Sequence, residues 1–160
     1  MGFLKMKSLT NIKNAIAVSL ILFGIILAIK QSPSNIIDDK NVVVLNIEKP
    51  SDKVVELVMP VAKLITDPTD RAKLAIFNQE FANRVIKYDA DNQQINDIYV
   101  LAASHFFGDT IVDKYKDLDT KLVELLESIV GNDNHKLTIE EKRIISDNFL
   151  GLAWSLAQKR

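Results

Sequence analysis

The chain has 160 residues, which is enough for one domain and an appendage but not for two ordinary domains. Hydrophobic residues make up 48% of the chain and charged residues 26%, a composition that excludes an intrinsically disordered protein. The absence of cysteine excludes disulfides, thiol catalysis, lipidation at cysteine and cysteine-based metal centres.

Charge is unevenly distributed along the chain, although the formal net charge is only −1. Residues 1–30 carry four lysines and no acidic residue, whereas the remainder carries 16 basic and 21 acidic residues, a net charge of −5. Neutralising phosphates requires clustered lysine and arginine, and this acidic remainder has no basic stripe. We therefore expect no nucleic acid among its partners.

The N-terminus combines a basic leader, residues 1–14, with an uncharged apolar segment, residues 15–29, that ends at Lys30. As a helix, this segment spans roughly 22 Å at about 1.5 Å per residue, less than the roughly 30 Å of a bilayer's hydrocarbon core. Three interpretations compete: a transmembrane signal anchor with Lys30 snorkelling outward, a cleaved signal peptide, and a buried helix of a soluble protein. The segment is apolar on every face, which argues against the third.

A membrane anchor is favoured over a cleaved signal peptide because residues 27–33 offer no pair of small residues to a signal peptidase. Three lysines precede the apolar segment and one follows it, which predicts a cytoplasmic N-terminus and an extracytoplasmic C-terminal domain. A single-pass protein of a bacterial inner membrane, facing the periplasm, fits this pattern best. Gly24 and Ala28 form a small-xxx-small pair that would let two anchors pack closely.

The residues after the anchor divide into a polar linker, residues 30–40, and a domain, residues 41–160. The domain opens with the sequence NVVVLNI at residues 41–47, whose β-branched residues predict one short strand. A lone apolar strand needs something to pair with, and it is therefore a candidate for association. We take Val42, Val43 and Val44 as possible partner contacts.

From residue 50 onward, helical periodicity and capping signals predict a compact bundle of about five helices. The first is expected from a Ser51 cap to Ile65, with Pro60 as a kink inside it. The other start signals are Asp67 followed by Pro68, Asp89 or Asp91, a start near Thr110, and a capping box of Thr138 with Glu141. Gly108 and Gly131 are the stop signals. The predicted fold is therefore mostly α.

Two polar loops resemble calcium-binding EF-hand loops only in part. A loop starting at Asp89 would place Gln94 where a glycine is required and Val100 where a bidentate glutamate is required. A loop ending at Glu141 would place Val130 where an aspartate is required and His135 where a glycine is required. Helix caps and interhelical turns are the simpler interpretation, and a degenerate calcium site stays open as an alternative.

No catalytic constellation is recognisable in the chain. The two histidines, His105 and His135, lack the spacing of a zinc protease, and neither Ser104 nor Ser155 lies in a nucleophile motif. No glycine-rich phosphate loop is present, and no carboxylate pair can be defended without a structure. We therefore assign no catalytic residue, no metal ligand and no cofactor.

The second predicted helix carries the densest set of specific polar side chains, which marks either a partner contact or an ordinary solvent-exposed face. Its members are Arg71, Asn78, Glu80, Asn83 and Arg84, of which Arg71, Asn78 and Arg84 are the candidate contact residues. The solvent face is the more economical interpretation. Trp154, near the C-terminus, is expected to pack against the core of the bundle.

The sequence favours a membrane-anchored, non-enzymatic helical interaction or assembly module that faces away from the cytoplasm. Residues 15–29 would engage the membrane, and a protein partner or a second copy would engage the domain. One alternative is a secreted or anchored inhibitor or regulator of an envelope enzyme, of bacterial or phage origin. Another is an enzyme with an unrecognised carboxylate site.

Overall fold

A computed structural model describes residues 47–107 and 114–158, with side chains omitted at 104–107. These residues form five helices, which confirms the mostly α prediction for the described part of the chain. The helices are α1 (Asp52–Leu64), α2 (Pro68–Val85), α3 (Asn92–Phe107), α4 (Leu118–Val130) and α5 (Ile139–Ala157). The predicted anchor at residues 15–29, with Gly24 and Ala28, and the predicted strand residues Val42, Val43 and Val44 lie outside the described residues.

Local capping chemistry sets the starts of α1 and α2, as the sequence predicts. The Ser51 hydroxyl accepts a hydrogen bond from the backbone N–H of Val54 at 3.3 Å. The Asp67 carboxylate accepts two, from the N–H groups of Thr69 at 2.9 Å and Asp70 at 3.0 Å. Helix α1 continues past Pro60 to Leu64, so this proline does not end it.

The starts of α3 and α5 are reciprocal capping boxes. The Asp91 carboxylate accepts from the Gln94 N–H at 2.7 Å, and the Gln94 side-chain oxygen accepts from the Asp91 N–H at 3.0 Å. Asp91, and not Asp89, is therefore the cap of α3. At α5 the predicted box is confirmed, because Thr138 Oγ1 accepts from the Glu141 N–H and Glu141 accepts from the Thr138 N–H.

The helix predicted from about Thr110 to Val130 is interrupted between Lys114, which is helical, and Leu118, where α4 starts; residues 108–113 lie outside the described residues. Tyr115 to Asp117 form a turn, closed by a bond from the Leu118 N–H to the Tyr115 carbonyl at 2.8 Å. The Tyr115 hydroxyl donates to the Asp70 carboxylate at 2.7 Å, which holds this turn against the first turn of α2. The break therefore coincides with a long-range contact, and local periodicity does not indicate it.

Helices α2 and α5 form the centre of the bundle and run antiparallel. Two hydrogen bonds fix their register: Arg71 Nη2 donates to the Ser155 carbonyl at 2.8 Å, and Ser146 Oγ donates to the Ala82 carbonyl at 2.7 Å. Between them lies a cluster of buried rings whose neighbouring centroids are mostly 4.9 to 5.2 Å apart. Its members are Phe77, Phe81, Tyr99 and Phe149.

Two polar residues of α2 point into the bundle and not towards solvent. Arg71 is 7% exposed, and its guanidinium donates to the carbonyls of Ala62 at 2.8 Å and Ile65 at 2.9 Å as well as to that of Ser155. Asn78 is fully buried. Its amide donates to the Leu74 carbonyl at 2.7 Å and accepts from the Tyr99 hydroxyl at 3.1 Å. The expected polar face of α2 is therefore divided between the interior and the surface.

Residues 47–107 and 114–158 contain no β-strand. Their β-type backbone pairing is a single antiparallel bridge between Asp91 and Lys136. None of the helices described there is long and apolar enough to cross a bilayer. Trp154, which was expected to pack against the core, is half-buried on α5 and is not one of the buried core residues.

Replacing Arg71 by methionine is expected to lower the free energy of unfolding by about 3–5 kcal/mol, because three buried carbonyls lose their donor. The matched control is Arg143→Met at an exposed arginine of α5, with an expected change below about 0.5 kcal/mol. The measurement is urea unfolding of the full chain in mild detergent, followed by Trp154 fluorescence. Equal stability of the two variants would show that the Arg71 bonds contribute nothing.

Candidate functional site

A groove of about 660 Å³ opens where the chain enters the bundle. One wall is the entering segment, residues 47–51, followed by Val54 in the first turn of α1. The remaining wall and floor come from the central helices α2 and α5. These helices contribute Gln79, Asn83, Asp147, Leu150 and Gly151.

The floor of the groove depends on Gly151. A Cβ placed on this residue would overlap the Cγ1 atom of Val54 and would lie 3.6 Å from the Cβ of Pro50. The absent side chain therefore lets the N-terminal end of α1 rest directly on the backbone of α5. Glycine inside a helix costs roughly 1 kcal/mol relative to alanine, so its presence here has a packing reason.

The polar atoms of the groove are mostly hydrogen-bond acceptors. The side-chain oxygen of Gln79 is buried and has no hydrogen-bond partner among the described residues. Glu48 and Asp147 are exposed carboxylates that form no ion pair with any residue the structure describes. The cation in the lining, Lys49, is already 3.4 Å from the carboxylate of Asp52. Three acceptor groups of the groove therefore have no partner among the described residues.

A second polar region lies where the α2–α3 and α4–α5 loops meet. Around the Asp91–Lys136 bridge, the Leu137 N–H donates to the Ala90 carbonyl at 3.3 Å. The amide of Asn92 donates to the Asp133 carbonyl at 3.0 Å. These bonds join the two loops that resemble calcium loops in the sequence. Their side chains are bonded to each other, and the described residues hold no group of three metal-ligating side chains.

His135 connects this loop junction to the start of α5. Its Nε2 lies 2.8 Å from a Glu141 oxygen and its Nδ1 lies 2.8 Å from the Asp133 carbonyl. Both partners are acceptors, so only the imidazolium can donate to both at once. These contacts accordingly raise the pKa of His135 above 6.5. The bond to the Asp133 carbonyl has the largest effect, and the bond to the Glu141 carboxylate has the next largest. The pKa of Glu141 is lowered to about 2, mainly by the hydrogen bond from the Thr138 N–H and next by the bond from His135.

A third polar cluster ties the start of α4 to the start of α2. Lys114 Nζ lies 2.6 Å from an Asp70 carboxylate oxygen and 3.5 Å from one of Asp67. The bond to Asp70 raises the pKa of Lys114, and the backbone N–H of Asp70 lowers the pKa of Asp67. Each member has a partner within the cluster, which indicates a structural role.

The structure distributes the candidate contact residues of α2 among three environments. Arg71 and Asn78 are buried in the bundle, and Arg84 is half-buried with its Nε 3.9 Å from the Glu80 carboxylate. Asn83 is exposed and lines the groove. Whether these residues or Val42, Val43 and Val44 contact a partner stays a prediction.

Sequence reasoning did not find the groove, because its lining comes from three separate segments of the chain and contains no motif. One signal was available in hindsight. Gly151 lies within the apolar pattern of α5, where glycine is unfavourable unless another backbone or side chain approaches closely.

Comparison of the chain with known protein families, curated proteins and solved structures finds no match.

Gly151→Ala is expected to lower the free energy of unfolding by roughly 1–3 kcal/mol, because Val54 is a short, stiff side chain that must move. Combining it with Val54→Ala should recover much of that loss, with a coupling energy of at least about 1 kcal/mol. Urea unfolding of the two single variants and the double variant measures this coupling. Strictly additive effects would contradict the close approach of α1 to α5.

The His135–Glu141 pair is expected to stabilise the protein most between about pH 4.5 and 6.5. The raised pKa of His135 gives stability that is complete below 6.5 and is lost as pH rises. The lowered pKa of Glu141 gives stability that is present above 4.5 and is lost as pH falls towards 2.

Thermal unfolding of wild type and His135→Gln at pH 5.5 and pH 9 measures the effect. The difference in midpoint should be larger at pH 5.5. Lys136→Gln removes the exposed ion pair with Asp89 and serves as the control, since its effect should be similar at the two pH values. A His135→Gln effect that does not change with pH would show that the histidine is not charged in the folded state.

Proposed function

We propose that this chain is a membrane-anchored, non-enzymatic binding module, with its helical bundle outside the cytoplasm and a protein as its partner. The observation that carries the proposal is the groove at the entry point of the bundle. Its buried Gln79 oxygen and the Asp147 carboxylate find no partner within the described residues. Carboxylates elsewhere in the bundle do engage in caps and ion pairs, as at Asp67 and Glu141, although, among the described residues, Glu56 and Asp119 on the helix surface do not.

The position of the groove suits an anchored module. Ile47 lines it, and only sixteen residues, 31–46, separate it from Lys30 at the end of the apolar segment. Fully extended, this connection reaches at most about 55 Å. The groove would therefore stay within that distance of the bilayer surface, and its partner would be a membrane protein or one that works close to the membrane.

The carboxyl groups also favour binding over carboxylate catalysis. A general acid at neutral pH needs a raised pKa. The pKa values of Asp67, Asp89 and Glu141 are lowered by their hydrogen-bond donors, which is typical of carboxylates with a structural role.

The membrane half of the proposal is tested by expressing the full chain with a C-terminal tag in bacteria. The expected result is a carbonate-resistant membrane protein whose intact mass includes residues 1–30. Its C-terminal domain should be digested by protease only after the outer membrane is permeabilised. Leu20→Lys combined with Ile26→Lys places two charges in the apolar segment and should release the protein from membranes, which makes it the matched control.

Two outcomes would contradict this half of the proposal. A product lacking roughly the first thirty residues would identify a cleaved signal peptide, in favour of a secreted inhibitor or regulator. A full-length chain in the soluble fraction would show that residues 15–29 pack within a protein.

A further inference from the structure

We propose that the groove between the entering segment and helices α2 and α5 binds an extended, basic segment of a partner protein. A lysine or arginine of that segment would lie along the apolar floor, with its charge at Asp147. This inference rests on the proposed binding function and adds the chemistry of the partner.

Charge is the first argument. The lining holds two carboxylates, Glu48 and Asp147, that form no ion pair with any described residue, and one lysine, Lys49, that is paired with Asp52. The complementary occupant therefore carries positive charge. An anionic lipid surface would be repelled by these carboxylates and by the net charge of −5 on residues 31–160, so a protein segment is favoured over the bilayer.

The buried acceptor is the second argument. Gln79 lines the groove, and its side-chain oxygen is buried without a hydrogen-bond partner among the described residues, a state that costs roughly 1–3 kcal/mol. A rotation of the side chain towards the groove would let this oxygen accept from a backbone N–H of an extended segment. Asn83, one turn further along α2, offers both a donor and an acceptor to the same backbone.

The apolar floor is the third argument. Val54, Leu150 and the backbone of Gly151 lie beside Asp147 in the lining. Lysine and arginine bury their hydrocarbon stems against such surfaces while the charged head stays at a polar edge. A short acidic side chain or an uncharged one could not both pack against the apolar floor and pair with the Asp147 carboxylate.

The volume of the groove sets the size of the occupant. About 660 Å³ lies in the range of pockets that hold drug-sized ligands, which suits a few residues of extended chain. A whole helix or folded domain would contact only the rim.

The test uses the full chain in lipid nanodiscs as bait for a display library of random octapeptides. Lysine and arginine are expected to be enriched at least about three-fold in the selected peptides over the starting library. Asp147→Lys should abolish this enrichment and weaken a synthetic copy of the best selected peptide by at least about ten-fold in fluorescence anisotropy. Gln79→Leu should weaken the same peptide by a smaller factor, by removing the buried acceptor.

The matched control is Glu56→Lys, which makes the same charge change at an exposed position of α1 that does not line the groove. It should leave the selection unchanged. Unfolding followed by Trp154 fluorescence must show Asp147→Lys to be as stable as Glu56→Lys, since both positions are on the helix surface. An unstable Asp147→Lys is replaced by Asp147→Asn, for which the same loss of enrichment is expected.

Three outcomes would overturn the inference: no enrichment of basic residues, an equal loss with Glu56→Lys, or self-association of the chain that Asp147→Lys abolishes. The last would identify a second copy as the occupant. Failure here is distinct from failure of the anchor. Membrane fractionation decides where the chain resides, and the peptide selection decides what the groove binds.

Discussion

The buried guanidinium of Arg71 is the interaction on which the arrangement of the bundle depends. It bonds to carbonyls at the C-terminal end of α1 and in the last turn of α5, from a position in the first turn of α2. These helix ends carry partial negative charge, which a cation at this position stabilises. Burying a charged group is costly unless its donors are satisfied, so the three helix ends must stay together.

The groove follows from this arrangement. With its C-terminal end held at Arg71, α1 crosses α5 so that its first turn rests on Gly151. The entering segment is then held beside α2 and α5, and the space between them is the groove. Stability and the shape of the groove are therefore coupled, because a larger residue at position 151 would change both the packing of α1 and the floor. The proposed anchor would keep this part of the domain within about 55 Å of the membrane.

The loop junction illustrates how the same polar residues can suggest two kinds of chemistry. Aspartate and asparagine in interhelical loops suit calcium, and they equally suit capping and loop-to-loop hydrogen bonds. In the structure Asp91 caps α3, Asn92 bonds to the Asp133 carbonyl, and Glu141 is shared by Thr138 and His135. The histidine makes this junction sensitive to pH, because its two acceptor partners require the charged ring.

Local signals in the sequence predict the helices and most of their boundaries, because the caps at Ser51, Asp67 and Thr138 act within one helical turn and apolar periodicity marks the buried face. The charge asymmetry and the apolar segment from which the anchor is proposed are also features of the sequence.

Three features of the fold depend on contacts between residues that are far apart in the chain. The first is the inward orientation of Arg71, because one of its acceptors, the Ser155 carbonyl, lies 84 residues away. The second is the turn at residues 115–117, which interrupts the predicted fourth helix, and there the Tyr115 hydroxyl bonds to Asp70, 45 residues away. The third is the groove, which forms where three segments that are distant in the sequence come together near Gly151. In each case the deciding partner lies far along the chain, beyond the reach of local pattern and propensity.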